Sequence, residues 1–357
     1  MRIAVAGCGN IAGPYAESFK VYPELELVGA ADFMPERAKE FAAKYGGKAY
    51  ASVDDLLADK RVELVVNLTP YTQHAALTLK AVKAGKHVHS EKPMAVTFKE
   101  ALAIVKESKK RKVRVSCAPI TFMGEAQQTA WKMMRDGAIG GVKLIYAEVN
   151  HGRIEAWHPA PIVFYQGGPM YDVGVYPLAL ATAFFGPAKK VSAYGKMLLP
   201  KRVTKDGKPW TLSTPDYFCA AIELTSGPVI RLTANFYVQG RNTRQGECME
   251  FHGDQGSLLL SNWFGFNSNV EVSALNQEFK PVAPLKPATY KDSVEWSRGI
   301  KDVVDAIREK RPHRASVEHA AHVVEVINAV SASAKLGGKS VTLKSTFNQP
   351  TPMPWAK

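Results

Sequence analysis

The first 120 residues alternate short β-rich runs with amphipathic stretches, and this alternation restricts the fold more than any other feature of the chain. RIAVAG (2–7), LELVGAAD (25–32), VELVVNLTP (62–70), HVHSEKP (87–93) and VRVSCAP (113–119) read as strands. IAGPYAESFK (11–20), PERAKEFAAKYG (35–46) and TQHAALTLKAVKAG (72–85) read as helices between them. Thr97 and Glu100 form a capping box that opens another helix. Such alternation predicts a parallel sheet with helices on both faces.

After about residue 121 the pattern changes. KLIYAEVN (143–150), KVSAYGK (190–196), YFCAAIEL (217–224), VIRLTANFYV (229–238), CMEFHG (248–253), SLLLS (257–261) and NVEVS (269–273) follow one another with short turns. They predict a largely antiparallel sheet, covered by helices on one face. Helices at about 292–310 and 316–336 close the chain, and the proline-rich TFNQPTPMPW is expected to lie extended on the surface. The expected architecture is an α/β domain over 1–120 and an α+β domain over 121–357.

Composition narrows the function. No apolar run approaches the roughly 20 residues that span a membrane, and the opening MRIAVAG has no signal-peptide pattern. Cys8, Cys117, Cys219 and Cys248 are scattered, which suits free thiols in a reducing cytoplasm. The net charge of +13 raises nucleic acid as a partner. Yet the basic clusters 106–114 and 308–314 sit at helix ends, where cations suit the dipole and solvent, and no nucleic-acid module accompanies them. Solvated faces or attraction of an anionic ligand explain the charge better.

Three constellations carry chemistry. Gly7, Gly9 and Ala12 in GCGNIA match G-x-G-x-x-G/A between a strand and a helix, with Asn10 and Ile11 inside the motif. Asp32 ends the second strand, 32 − 9 = 23 positions after Gly9, where an acidic group accepts from ribose hydroxyls. The motif therefore predicts a dinucleotide, with its pyrophosphate at a helix N-terminus. Asp32 would repel a 2′-phosphate, which favours NAD, while Arg37 leaves NADP open. In NLTPYTQHA (67–75), Thr69 and Pro70 end a strand at the ligand-binding edge of the sheet, and Gln73 and His74 open the next helix. A capped helix start with a surface histidine is the plainer alternative. In HVHSEKPM (87–94), Glu91 and Lys92 end another strand before Pro93, and the Lys92–Pro93 bond is a candidate for the cis form.

The order GCGNIA, TP-x-x-x-H, EKP and then GGPMYDVGVYP (167–177) resembles the glucose–fructose oxidoreductase/inositol dehydrogenase (Gfo/Idh/MocA) family over essentially the whole chain. The resemblance implies a Rossmann domain that binds NAD(P) and an open-faced C-terminal sheet that carries substrate groups. It places Lys92, Asp172 and Tyr176 around the reacting hydroxyl or ketone of a sugar or cyclitol. It also implies cofactor contacts from Gly7, Gly9, Asn10, Ile11, Ala12, Asp32, Arg37, Thr69, Pro70, His74, Glu91 and Lys92. Many members have histidine where this chain has Tyr176, which argues against an inositol dehydrogenase.

Asp172 and Tyr176 lie four apart after a glycine pair and share a face if the segment opens a helix. Tyr176 would exchange the substrate proton. Its pKa near ~10 needs lowering for neutral pH, and a nearby Lys92 ammonium has the right sign. Asp172 would accept from a neighbouring hydroxyl. His151, Arg153, Trp157 and His158 in HGRIEAWHP suit stacking on a sugar, or equally packing between subunits. His319 and His322 have no evident third ligand, so no metal is expected. The expected protein is a cytoplasmic dehydrogenase or reductase for a carbohydrate or polyol. It is expected to be a homo-oligomer, a dimer or tetramer joined through its C-terminal sheet. An NAD-dependent glycosidase or epimerase without net NADH, and a non-catalytic dinucleotide sensor, are the alternatives.

Overall fold

Six parallel strands form the sheet of the first unit: β1 (Arg2–Ala6), β2 (Glu26–Ala31), β3 (Lys48–Ala49), β4 (Leu64–Asn67), β5 (His87–Ser90) and β6 (Val115–Cys117), in the order β3-β2-β1-β4-β5-β6. A computed structural model describes residues 1–357 except 240–242, 244–245, 289 and 291–293. The connecting helices are α1 (Ala12–Phe19), α2 (Pro35–Tyr45), α3 (Val53–Ala58), α4 (His74–Lys83) and α5 (Phe98–Arg111). Thr97 and Glu100 make the capping box that the sequence predicts for α5. One sheet face packs Ile3, Val5, Leu64 and Val66 against Tyr15 and Phe19 of α1. The other packs Ala4, Val65 and Val88 against Leu77 and Ile104. A strand buried on both faces reads as a continuous apolar run, which is why AVA and LVV were legible.

This unit does not end at residue 120. It comprises Met1–Ile120 together with Glu295–Val324, so the expected boundary, which gave all of 121–357 to the second unit, is corrected. The physical reason is apolar. Ile300 and Val303, on the helix Arg298–Arg308, join the α1-side core. Val317, Ala321 and Val324 join the opposite one. Residues 292–293 of the predicted helix 292–310 lie outside the described residues. The basic run 308–314 is also less solvated than expected: Arg314 is buried against Asp302, and Arg311 pairs with Asp302 and Glu309.

The second unit, Thr121–Val294 with Glu325–Lys357, is built on a nine-stranded sheet. Its elements are α6 (Glu125–Arg135), β7 (Val142–Asn150), α7 (Ile162–Pro169), α8 (Val175–Phe185), β8 (Ala188–Lys196), β9 (Lys201–Val203), β10 (Pro209–Thr211), β11 (Tyr217–Leu224), β12 (Val229–Asn235), β13 (Met249–Gly253), β14 (Gly256–Leu260), β15 (Val270–Ala274), β16 (Lys280–Val282) and, near the end, β17 (Val341–Thr342). The order is β16-β15-β14-β13-β7-β12-β11-β8-β17, with β9 and β10 as a separate hairpin. Pairing is antiparallel throughout except between β7 and β12. Phe218, Ala220, Ile222 and Leu224 of β11 point inward, as the two-residue period requires. Phe184 of α8 and Trp131 of α6 stack at 4.8 Å over Phe251 on that covered face. The opposite face carries half-exposed Tyr146, Arg231 and Glu223.

The helices at 125–135 and before the glycine pair are absent from the sequence reading, which carries the helix after that pair only to Tyr176. All ten residues Val175–Phe184 are buried, so α8 has no polar face and hence no amphipathic period to detect. The tail is extended as expected, but it is also pinned: Gln349 donates to Phe184 O, and Met353 N donates to Gln128 Oε1 at 2.8 Å.

Candidate active site

In the first unit the predicted residues gather at one edge. Gly7 follows β1, Asp32 follows β2, Thr69 and Pro70 follow β4, and Glu91 and Lys92 follow β5. This is the carboxyl edge of the parallel strands. The order reverses between β1 and β4, the position where doubly wound sheets bind ligands. Gly7 has φ +98°, and a Cβ there would lie 2.7 Å from the backbone of Leu68 and Thr69. Only glycine lets the two strand exits approach this closely.

Asp32 organises the turn. Its Oδ2 accepts from Cys8 N at 2.6 Å and its Oδ1 from Met34 N at 2.8 Å. Burial, reinforced by the Asp32 charge, pushes the Cys8 thiol up to about 12, so it stays protonated. Gly9 and Asn10 are exposed, and a Cβ on Gly9 would meet nothing within 4 Å. The turn therefore leaves an open approach to the N-terminus of α1, which fits a pyrophosphate. Ala12 is buried and Ile11 half-buried, so they shape the turn from beneath. Arg37 is exposed on the first turn of α2.

Three predicted cofactor contacts face inward instead. His74 is 2% exposed, with Nδ1 at 2.8 Å from Pro93 O and Nε2 at 2.6 Å from Thr69 O. Both ring nitrogens are thus engaged by the chain itself. Thr69 Oγ1 donates to Asn67 Oδ1 at 2.7 Å. Glu91 is buried, with Oε1 accepting from Tyr15 Oη at 2.8 Å and Oε2 from Lys92 N at 3.0 Å. Tyr15, which the sequence reading missed, also lies 3.2 Å from His89 Nε2. Lys92 is half-buried, and the Lys92–Pro93 peptide is cis.

In the second unit, GGPMYDVGVYP opens a helix, as expected: Gly168 breaks it from the preceding one, and the backbone is helical from Pro169 onward. Gly168 has φ +74°, and a Cβ there would lie 3.2 Å from Pro215 O. Met170–Gly174 then form a π turn before α8 starts at Val175. Asp172 lies in that turn, and Tyr176 lies in the first turn of α8, which continues from it. Such single π turns often accompany functional sites. Tyr171 Oη accepts from Asn328 Nδ2 at 2.7 Å, which ties the turn to the helix Val317–Lys335. The Tyr176 ring stacks on Trp263 at 5.3 Å and 25°, with Phe264 edge-on. The residue is 8% exposed.

The HGRIEAWHP loop follows β7. His151 Nδ1 lies 2.7 Å from Glu247 Oε1, and its ring meets Trp157 at 6.2 Å. Trp157 and His158 are 5.4 Å apart, and the Arg153 guanidinium lies over the Tyr237 ring. Trp157 is exposed, so an aromatic platform with a cation beside it faces outward. Beneath lies a cluster with no sequence signal. The Arg202 side chain, fully buried, reaches Glu155 and Asp216 at 2.5 Å each and Tyr165 Oη at 2.7 Å. Tyr165 donates in turn to Glu155 Oε2 at 2.6 Å. One guanidinium thus joins the loop, α7, the β9–β10 hairpin and the approach to β11.

Among the described residues no group of three or more side chains could hold a metal ion, and no helix is long and apolar enough to cross a membrane. A parallel sheet with a glycine turn, an open helix N-terminus and an acid at the second strand defines a dinucleotide-binding Rossmann domain. Comparison with known proteins makes the class specific. An oxidoreductase family model with an NAD-binding Rossmann fold (Gfo/Idh/MocA) matches residues 1–118, and the Gfo/Idh/MocA C-terminal domain model matches 127–259. The trans-1,2-dihydrobenzene-1,2-diol dehydrogenase of Sus scrofa is 31% identical over 313 residues, 86% of this chain and 88% of the relative. An NAD-binding oxidoreductase from Klebsiella pneumoniae shares the fold with TM-score 0.85 at 22% identity, covering 97% of this chain and 99% of that one. A levoglucosan dehydrogenase in complex with NADH and L-sorbose does so with TM-score 0.82 at 20% identity, covering 97% and 99%. The chain belongs to the Gfo/Idh/MocA family and is an NAD-binding oxidoreductase.

Proposed function

We propose that this enzyme transfers a hydride between the nicotinamide and a hydroxyl or keto carbon of a sugar, sugar derivative or polyol. Tyr176 acts as general acid/base, assisted by Lys92 and Asp172. The observation that carries the reading is the position of Lys92. It directly follows β5, at the same carboxyl edge as the glycine turn and Asp32. The similar proteins named for a diol and for levoglucosan support a hydroxylated carbon as the reacting group.

Bound NAD supplies the hydride acceptor or donor. The turn at Gly9 and Asn10 holds its pyrophosphate, and Asp32 accepts from its ribose. In the oxidation direction Tyr176 takes the hydroxyl proton, and in reduction it returns it. Lys92 hydrogen-bonds the substrate oxygen, and Asp172 accepts from a neighbouring hydroxyl and so selects the carbon. Trp157 and His158 offer a sugar an aromatic face, with His151 and Arg153 beside them. The open face of the nine-stranded sheet, with Tyr146 and Arg231, is the surface we assign to self-association. Four free thiols agree with a reducing cytoplasm.

The test is a screen of trans-dihydrodiols, pyranoses and polyols with NAD and NADP, read by NADH or NADPH formation. Net NADH supports the reading. Product formation with no net NADH supports a glycosidase or epimerase cycle, and cofactor binding without turnover of any compound supports a sensor.

Asp32→Ser checks the cofactor preference. A carboxylate beside a 2′-phosphate costs about 1–4 kcal/mol at contact distance, depending on solvent screening. Removing it should narrow the NADH-over-NADPH affinity gap by about 10-fold or more. Fluorescence titration of both reduced cofactors measures this, and an unchanged gap rules out Asp32 as the discriminator.

A further inference from the structure

We propose that His74 is an imidazolium, protonated on both ring nitrogens, and that it is the positioning cation for the turn that carries Lys92. The reasoning is stereochemical. Nδ1 faces Pro93 O at 2.8 Å and Nε2 faces Thr69 O at 2.6 Å. A carbonyl oxygen only accepts, so each short contact needs an N–H on the ring side. A neutral imidazole has one N–H, and either tautomer would set a lone pair against a carbonyl oxygen. Only the cation satisfies both contacts.

The surrounding charges pull both ways. The Glu91 carboxylate is buried and favours the second proton, while the Lys92 ammonium opposes it. Both come from the β5 exit; Thr69 and Asn67, from the β4 exit, bring no ionisable group. Burial is the largest influence and pulls the His74 pKa down on balance, against the two carbonyls and Glu91, which push it up. Geometry decides between these tendencies, because burial is compatible with the neutral ring only if one contact becomes repulsive.

The consequence concerns Lys92. Glu91 Oε2 holds the Lys92 N–H and His74 holds the Pro93 carbonyl, so two opposite charges grip the cis turn on either side of the lysine. The second nitrogen of His74 fixes the Thr69 carbonyl at the β4 exit. The cofactor-side loop and the lysine turn therefore move as one piece.

The test uses the full-length protein with 15N-labelled histidine. Two one-bond N–H correlations are expected for the His74 ring at neutral pH, assigned by through-space contacts to Pro93; a single correlation overturns the proposal. A second measurement compares the melting temperatures of wild type and His74→Gln between about pH 6 and pH 9. A group whose folded pKa is raised stabilises fully below its unfolded value, near ~6.5, and loses that contribution as pH rises through the folded pKa. The gap between the two proteins should therefore narrow with rising pH. A buried neutral histidine predicts the opposite slope, so a constant or widening gap overturns the assignment. If the variant does not fold, the spectra of the wild type alone decide.

Discussion

Tyr176→Phe is expected to lower kcat by about 10²- to 10⁴-fold, the range that a positioned general acid or base contributes, while NADH affinity stays within error. The substitution is clean for a structural reason. The ring is held by stacking on Trp263 and by the edge of Phe264, and phenylalanine fills the same space. Trp263 is itself fixed, since its Nε1 donates to Glu148 O at 2.9 Å. What changes is one hydroxyl. Single-turnover hydride transfer with a substrate found by the screen measures the loss. An unchanged rate would mean that Tyr176 only packs, which its burial makes a real alternative. The companion Lys92→Met should move the acid limb of the pH–rate profile for oxidation upward, toward the ~10 of free tyrosine.

Arg202→Met should cost about 3–5 kcal/mol of stability, the usual penalty for stranding a buried partner. The reason is the arithmetic of the cluster. Glu155 and Asp216 are two carboxylates gathered on one guanidinium, and Asp216 is fully buried. Asp216 keeps the Leu198 N–H at 2.6 Å and the Leu199 N–H at 3.3 Å, but two backbone amides do not neutralise a buried charge. At roughly 2–4 °C per kcal/mol for a unit of this size, the melting temperature should fall by about 6–20 °C. Differential scanning calorimetry measures it. A shift below about 3 °C would show that water reaches the cluster and screens it. Surviving enzyme should also lose order in the HGRIEAWHP loop, because Glu155 and Tyr165 share that guanidinium.

The parts of the fold that could be read in advance are those with local signals. GCGNIA marks a turn, Asp32 a strand end, and the capping box Thr97–Glu100 a helix start. Each depends on neighbours a few residues away. What escaped depends on distant partners or on the absence of contrast. Arg202 looks like a surface cation until Glu155, Tyr165 and Asp216 converge on it. The helix Val175–Phe185 has no polar face. His74 was placed correctly at a helix start by the ligand edge, yet its side chain turns inward, because Thr69 and Pro93 both present carbonyls that sequence spacing does not reveal. The glycine pair suggested the helix start that Gly168 makes, while its positive φ beside the Pro215 carbonyl belongs to tertiary structure.

The return of Glu295–Val324 to the first unit has a consequence for synthesis. Domains commonly fold in order as the chain emerges from the ribosome. Here residues 1–120 emerge without Ile300, Val303 and Val317, which complete both of that unit's apolar cores. The nucleotide-binding half, although its strands are translated before the second unit, is finished only when residues 295–324 have been made. Until then its sheet waits with apolar surface uncovered, and the nascent chain becomes able to hold its dinucleotide late rather than early.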